Sequence, residues 1–436
     1  MANGNFGGGD GTPENPYLIE DLWDLNAIRS NAAMRRSHYK MVRDIDFSNY
    51  PNVDSWSPID NFEGVLDGNG HYIFNLYIQH RVGATATNHQ VGFLTNLSGV
   101  IKGLTFVKPI LDYTRTGAGS GHFRIAVISS SLNPTSRIER CAVEGGVINA
   151  VANTSLSNSV QTSSRISLIA GGTLGASNSD YPVVSNCYAA GSIVYPTGEY
   201  FVGGVIGRTT SRYIVENCYA RVKLISLGSN SINAGALVGD ISSTSRIVNC
   251  FWDSSIESSA GNPGSGPDQT TGTPLTTEQM QESKHFTAWD SAYHEDDEGN
   301  LIKTWTTVNG YFPKLSHQIQ NRMQLIDVPT NTEITSLDFG YIVAGSRSSI
   351  MEITLRSRYL VALRVIDISW IRNVGISDKT RLKLSRTEEP FEDLDRLTII
   401  DELDYFDEMK LYAQVDTDIG LETGGAFRVN VNVIPK

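Results

Sequence analysis

Six carboxylates fall where a stacked β scaffold could use them: Asp44, Asp46, Asp67, Glu139, Glu144 and Glu216. Two carboxyl groups facing each other across about 5–9.5 Å can cleave a glycosidic bond, one as the acid and the other as nucleophile or base. Asp67-Gly-Asn-Gly-His71 adds a histidine, in a segment whose Gly68 and Gly70 suit a tight turn. His71 reads as a turn residue. No paired-Asp run and no Asp cluster with an outward Arg accompanies these groups, and no spacing gathers the three Glu residues. The chain therefore reads as non-enzymatic, with a polysaccharide lyase or hydrolase as the enzymatic alternative. Nucleophile elbow, P-loop and dinucleotide fingerprints are missing too, and Gly7-Gly-Gly follows no strand.

The other chemistry-bearing residues form a pattern. Cys141, Cys187, Cys218 and Cys250 each close a short β-prone run, and the last three sit in Asn-Cys-aromatic: Asn186, Asn217 and Asn249 precede them. The last two gaps are 31 and 32 residues. Gly207 precedes Cys218 by 11 residues and Gly239 precedes Cys250 by 11; Gly175 stands in the same place before Cys187 with one residue more. A zinc site needs Cys and His converging at short spacing, and none is expected. Four Cys in 436 residues make no disulfide framework. The thiols are expected as an inward stack of small apolar fillers, and the Asn residues as a ladder at a corner.

That period needs a scaffold. Each unit holds three short β-prone runs, for instance Phe201–Gly207, Tyr213–Ala220 and Arg221–Leu227, divided by Gly/Ser/Thr/Asn turns. Such runs bury a continuous core only by stacking in parallel on the next repeat. The expectation is a right-handed parallel β-helix. Roughly seven turns between residues 60 and 255 would span about 35 Å at the spacing of paired strands. Leu22, Leu25 and Ile28 have helical spacing and predict a helix sealing one end. A second helix is expected at Thr276-Thr-Glu-Gln-Met-Gln, with an aromatic stretch to Leu315 sealing the other.

Several ordered segments resemble a known family. Gly11-Thr-Pro-Glu-Asn-Pro-Tyr-Leu-Ile-Glu-Asp-Leu, Tyr39-Lys-Met-Val-Arg-Asp-Ile-Asp-Phe-Ser and Phe62-Glu-Gly-Val-Leu-Asp-Gly-Asn-Gly-His are similar to the start of GLUG-motif β-helix proteins. Gly-Ala-Leu-Val-Gly with Asn-Cys-Tyr resembles the GLUG unit, and Gly310-Tyr-Phe-Pro-Lys-Leu the tail of such arrays. The resemblance spans residues 10–316 and implies a β-helix related in form to filamentous-haemagglutinin-type adhesins. For function it implies adhesive or unknown roles at a surface.

From about residue 322 Gly thins out, and charged and aliphatic residues rise. Phe427, Val429, Val431 and Val433 alternate with Arg428, Asn430 and Asn432, the pattern of a half-buried antiparallel strand. Further strands are expected at Glu333–Leu337, Ser349–Leu355, Val361–Trp370, Arg381–Ser385 and Lys410–Val415, which suggests a β-sandwich. Leu337-Asp-Phe-Gly-Tyr-Ile-Val-Ala-Gly resembles immunoglobulin-like modules. Glu388–Glu408 carries ten acidic residues and one basic, Arg396, and reads as a solvated loop. The whole is expected to be all-β. Residues 1–38 form a lead-in and capping helix, 39–255 the β-helix, 256–320 its C-terminal cap and 321–436 an Ig-like sandwich.

Composition narrows the partners. The formal net charge is −12, against nucleic acid and anionic membrane surfaces. No run approaches the ~20 apolar residues of a membrane helix. The first residues lack the basic and apolar regions of a Sec signal, so synthesis in a cytoplasm or export by another route is expected. No cofactor and no metal are expected. Together these features lead to a structural or adhesive protein of a phage particle, a tail fibre, baseplate or other appendage. Its partners would be other virion proteins, a host-surface polysaccharide or further copies of the chain. The alternatives are a bacterial surface adhesin and a depolymerase.

Overall fold

A strand of three to eight residues leaves its backbone unpaired unless another lies beside it, and here each finds its partner one repeat along the chain. The computed structural model describes residues 5–435 apart from 51–54, 84–86, 119, 153–162, 173–179, 198–199, 211, 229–232, 257–271, 297–298, 320–322, 328–331, 334–341, 343–345, 360–361, 373–380, 400–402, 404–406 and 417–426. Two compact units result, Met1–His317 and Gln318–Lys436.

In the first unit, Ile214–Glu216 lies in parallel between Val183–Ser185 and Arg246–Val248. Tyr219–Ser226 lies likewise between Tyr188–Tyr195 and Phe251–Asp253. Among the described residues four parallel sheets form, with eight, ten, five and five strands. We number them in that order. One coil of chain visits the third, fourth, first and second in turn, as in Phe201–Gly203, Ile206–Arg208, Ile214–Glu216 and Tyr219–Ser226. This is the strand arrangement of a parallel β-helix.

Three runs per repeat are expected from the sequence, and four strands are present, because the bends are made by single residues. Phe201–Gly207 folds at Gly204, where a Cβ would come within 2.2 Å of the Ala236 carbonyl oxygen. Tyr213–Ala220 breaks at Asn217, whose φ is 52°. Arg221–Leu227 continues the strand begun at Tyr219.

The lumen holds the core. Leu66, Ile101, Ile138, Val184 and Val215 occupy one inward column on the first sheet, each on the neighbouring rung of the last. All are at most 1% exposed. Burying each contributes about 1.5–3 kcal/mol of transfer free energy. Leu22–Ala27 is the expected helix, with Leu22, Leu25 and Ile28 joining that core. The Asp21 side chain caps it by accepting from the Trp23 and Asp24 N–H groups.

Thr273–Leu275 adds a last strand to the second sheet. The segment after it differs from the expected helical seal. Thr276 and Gln279 form a reciprocal capping box (Gln279 N to Thr276 Oγ1, 3.2 Å; Thr276 N to Gln279 Oε1, 2.9 Å), but only a 3-10 turn, Gln279–Gln281, grows from it. The described residues between 276 and 317 then form a strap against outward side chains of the second sheet. Met280, Phe286, Trp289, Trp305 and Leu315 pack on Ala142, Tyr188, Tyr219 and Phe251 in a second apolar cluster. Tyr188 and Tyr219 stack with ring centroids 4.8 Å apart, and Trp289 and Trp305 with theirs 4.4 Å apart. The strap reaches back far enough for His317 to lie beside Gly70.

The second unit has two antiparallel sheets. One orders Thr332–Glu333, Met323–Asp327, Met351–Ser357, Glu408–Asp416 and Arg381–Ser385; the other Leu397–Ile399, Leu363–Arg372 and Phe427–Pro435. Ile353, Leu355, Leu411 and Val415 of the first share one core with Ile366, Ile368, Leu397 and Ile399 of the second. Val431 and Val433 pack against it, as their alternation requires. Residues 334–341, most of the immunoglobulin-like segment, lie outside the described residues. Several carboxylates of the acidic stretch find partners: Arg347 holds Asp393 at 3.0 Å, Lys383 holds Asp395 at 3.1 Å, Arg356 Nε donates to Glu408 at 2.8 Å, and Glu392 accepts from the Arg386 N–H at 2.9 Å.

Candidate functional site

The corner between the first and second sheets carries the repeated Asn and Cys. Asn186, Asn217 and Asn249 have φ of 52°, 52° and 50°, the left-handed region that Asn enters more readily than other residues bearing a Cβ. Arg140 takes the same place one rung earlier at 52°, and Gly103 another rung back at 62°. Asn249 Nδ2 donates to Asn217 Oδ1 at 3.2 Å. The strap uses this column as well: Trp305 Nε1 donates to Asn186 Oδ1, and Trp289 Nε1 to the Asn249 carbonyl.

The cysteines beside this corner are buried free thiols. Each Sγ donates to the carbonyl two residues back: Glu139 at 3.3 Å, Ser185 at 3.1 Å, Glu216 at 3.2 Å and Val248 at 3.2 Å. The N–H groups of Cys141 and Cys187 donate to the Sγ of the next rung, both at 3.4 Å. Burial pushes the Cys141 and Cys218 thiols well above their ordinary range. This column makes structure.

Gly207 and Gly239 line the elbow between the third and fourth sheets. A Cβ on Gly239 would lie 2.4 Å from the Gly207 carbonyl oxygen, and one on Gly207 2.7 Å from that of Gly171. Gly175 lies outside the described residues.

The candidate carboxylates are dispersed, and several are engaged. Asp44 is buried, with Oδ1 2.9 Å from His71 Nδ1 and accepting from the Tyr72 N–H at 3.0 Å. Asp46 accepts from the Ser48 N–H, the Ser48 hydroxyl and Asn75 Nδ2. Asp67 caps the turn at Asn69 and pairs with Lys102 at 3.0 Å. Glu144 binds the Tyr188 hydroxyl and Lys314 Nζ, tying the strap to the second sheet. Glu139 and Glu216 share one outward row of the first sheet with Ser185 between them. Two rungs separate them, roughly 9–10 Å along the stack.

Sequence reasoning pointed to carboxylates and missed arginines. In the elbow, Arg124 and Arg165 are register partners on adjacent rungs of the third sheet, Arg124 between the inward-facing Phe123 and Ile125 and Arg165 beside the inward-facing Ile166. Arg208 lies on the fourth sheet, its guanidinium 3.9 Å from the Phe201 ring centroid and 2.8 Å from Asp240. Arg165 is 5% exposed. Burial, then Arg124 and Arg208, push it down to about 9, still charged at neutral pH. Burial, then Arg124 and Arg165, push nearby His122 down to about 4. The interval from Arg124 to Arg165 is 41 residues against 31 and 32 between later Cys, so no fixed period links them.

No protein-family model matches the chain. Halomucin of Haloquadratum walsbyi is 41% identical over 110 residues, 22% of this chain and 1% of that protein. A provisionally named Gly-rich membrane protein of Evansella cellulosilytica is 39% identical over 103 residues, 21% of this chain and 12% of that protein. Among solved structures, a provisionally named immunoglobulin A1 protease of Bacteroides ovatus is similar with a TM-score of 0.44 and 18% identity, over 68% of this chain and 95% of that one. The enzymatically active domain of tailspike protein 4 of bacteriophage CBA120 gives a TM-score of 0.16 and 11% identity, over 98% and 68%. Both scores are below 0.5, and the fold rests on the register of the strands themselves.

Proposed function

We propose that this chain is a non-enzymatic structural and adhesive protein displayed outside a cell, as part of a phage particle. Its β-helix would present polar flanks to a host-surface polysaccharide or to neighbouring virion proteins. The observation that carries the reading is how the candidate carboxylates are engaged. Asp44, Asp46, Asp67 and Glu144 hold turns, a helix cap and the strap. Such a scaffold repeats small polar contacts at the rung spacing, which suits shallow recognition of a polymer. The GLUG-type β-helix and an immunoglobulin-like module at the C-terminal end belong to the same proposal.

A second reading, an adhesin of a bacterial surface, is favoured by the names of the sequence relatives, one a mucin-like name and the other a membrane protein. Mass spectrometry of purified particles and of cell envelopes from the producing strain separates the two. Stoichiometric presence in particles supports the first reading; presence in envelopes alone replaces it with the second. A polysaccharide-degradation assay is the third arm. Release of reducing ends that is lost in Glu139→Gln or Glu216→Gln would overturn the non-enzymatic reading in favour of a depolymerase working from that outward pair.

A further inference from the structure

We propose that the elbow between the third and fourth sheets is a cleft for an anionic saccharide, its carboxylate or sulfate group held by Arg124 and Arg208 with Arg165 behind them. This rests on the reading that the chain contacts a polysaccharide, and names the kind.

The geometry is that of two rows facing one another. On the third sheet, Gln90, Arg124, Arg165 and Phe201 are successive register partners on one outward row. On the fourth, Asn96 partners Ser131, the next strand carries Gly172, and Arg208 and Asp240 follow it in register. Contacts cross the elbow along its length. Gln90 Nε2 donates to Asn96 Oδ1 and Ser131 Oγ at 2.9 and 3.1 Å, Arg124 Nη1 to Ser131 Oγ at 3.4 Å, and Arg208 lies over Phe201.

Glycine makes room for the cations. At Gly172, whose φ is +140°, a Cβ would stand 3.0 Å from Arg165 Nη1 and 2.1 Å from the Arg208 carbonyl oxygen. A Cβ on Gly207 would stand 3.1 Å from Arg165 Cβ. Side chains there would fill the space the guanidiniums cross.

Like charge is concentrated here in a chain whose formal net charge is −12. Arg124 and Arg165 sit on rungs about 4.8 Å apart. Asp240 answers Arg208 at 2.8 Å, yet at Arg165 the repulsion from Arg124 and Arg208 outweighs the attraction of Asp240. An anion entering between Arg124 and Arg208 relieves that crowding and gains charge-assisted, fork-like hydrogen bonds. Arg208 is about a third exposed, so it can be reached. Nucleic acid would bring a dense charge against a net-negative protein. A polymer with one anionic group per sugar, and neutral hydroxyls for the half-buried Asn96 and Gln90, matches the mixed lining.

The test is titration of the full chain at about 50 mM NaCl, where screening is weak. The probes are polygalacturonate for the carboxylate, dextran sulfate for the sulfate and dextran as the neutral polymer. Binding of one or both polyanions and not of dextran is expected, and the one preferred identifies the anion. Arg124→Gln and Arg208→Gln should each weaken binding about tenfold, the loss of one charge-assisted contact. Asp240→Asn should tighten it, since it removes the competing carboxylate. Arg36→Gln, at an exposed pair with Glu63 outside the elbow, should leave it unchanged. Circular dichroism confirms the fold of each variant. No binding of either polyanion by the folded wild-type chain, or equal losses in Arg36→Gln and Arg124→Gln, overturns the cleft. Attachment to intact host cells without polyanion binding would reject the cleft and keep the adhesive reading. Polyanion binding without cell attachment would do the reverse.

Discussion

The backbone N–H of Cys187 donates to Cys218 Sγ across 3.4 Å, one rung along the stack. The preceding Asn186 is in the left-handed region, so the strand breaks there and this N–H meets a side chain rather than a carbonyl. Sulfur is the right size and polarity: it fills the lumen, accepts that N–H and donates to the Glu216 carbonyl at 3.2 Å. Cys218→Ala removes all three. It should destabilise the first unit by roughly 2–4 kcal/mol, a cavity plus an unsatisfied buried N–H. Urea unfolding checks the figure, and a loss under about 0.5 kcal/mol, the size of a neutral surface change, would mean the column only fills space. The thiols should also resist aromatic disulfide reagents at pH 8 until the chain unfolds.

Arg140 occupies the corner position that Asn holds on the next three rungs, with the same backbone. A left-handed residue costs about 1–2 kcal/mol for a side chain without the local hydrogen bonding of Asn. Arg140→Asn should therefore stabilise the chain by about 0.5–1 kcal/mol, and Asn217→Ala should destabilise it by a similar amount. The two melting temperatures, measured side by side, should move in opposite directions. A shared direction would show that charge or packing dominates at the corner.

How much of this was legible depends on sequence distance. Cys187, Cys218 and Cys250 recur every 31 or 32 residues, so the lumen columns and the parallel stack can be read from spacing. The Asn before each Cys marks one corner in the same way, but the bend at Gly204 cannot be read, since it turns the chain inside an apolar run where no polar turn marks it. Trp305 meets Asn186 across 119 residues and Lys314 meets Glu144 across 170, so the strap has no local signature beyond its aromatic content. Arg124 and Arg165 face each other because insertions lengthen that coil without disturbing strand register. A search for catalytic carboxylates would pass over them.

The strap is a separate layer of stability. Its aromatic cluster lies outside the lumen, joined to the rungs by Trp289, Trp305, Lys314 and the Tyr219 hydroxyl on the Pro313 carbonyl. Trp305→Ala should cost about 3–5 kcal/mol locally. Hydrogen exchange should then rise across residues 276–317 while amides of the inward columns stay protected. Simultaneous loss of protection in both would make strap and rungs one cooperative unit.

Acid should weaken the first unit through its histidines. His80 Nε2 and His89 Nδ1 lie 3.1 Å apart, His80 stacks on Tyr113, and the Arg115 charge acts on His89. Burial lowers both, and it pushes His122 and His294 down to about 4. A histidine held below its unfolded value of about 6.5 binds fewer protons folded than unfolded. The stability it contributes is complete above that value and is lost as pH falls toward the folded one. The melting temperature should therefore fall between pH 6.5 and 4, and His122→Gln should flatten part of that slope. His122 also reports on the elbow. An anion seated between Arg124 and Arg208 offsets the cations that help hold it neutral, so polygalacturonate should move its titration upward in an NMR experiment. An unchanged His122 titration at saturating polymer would place the bound sugar elsewhere on the chain.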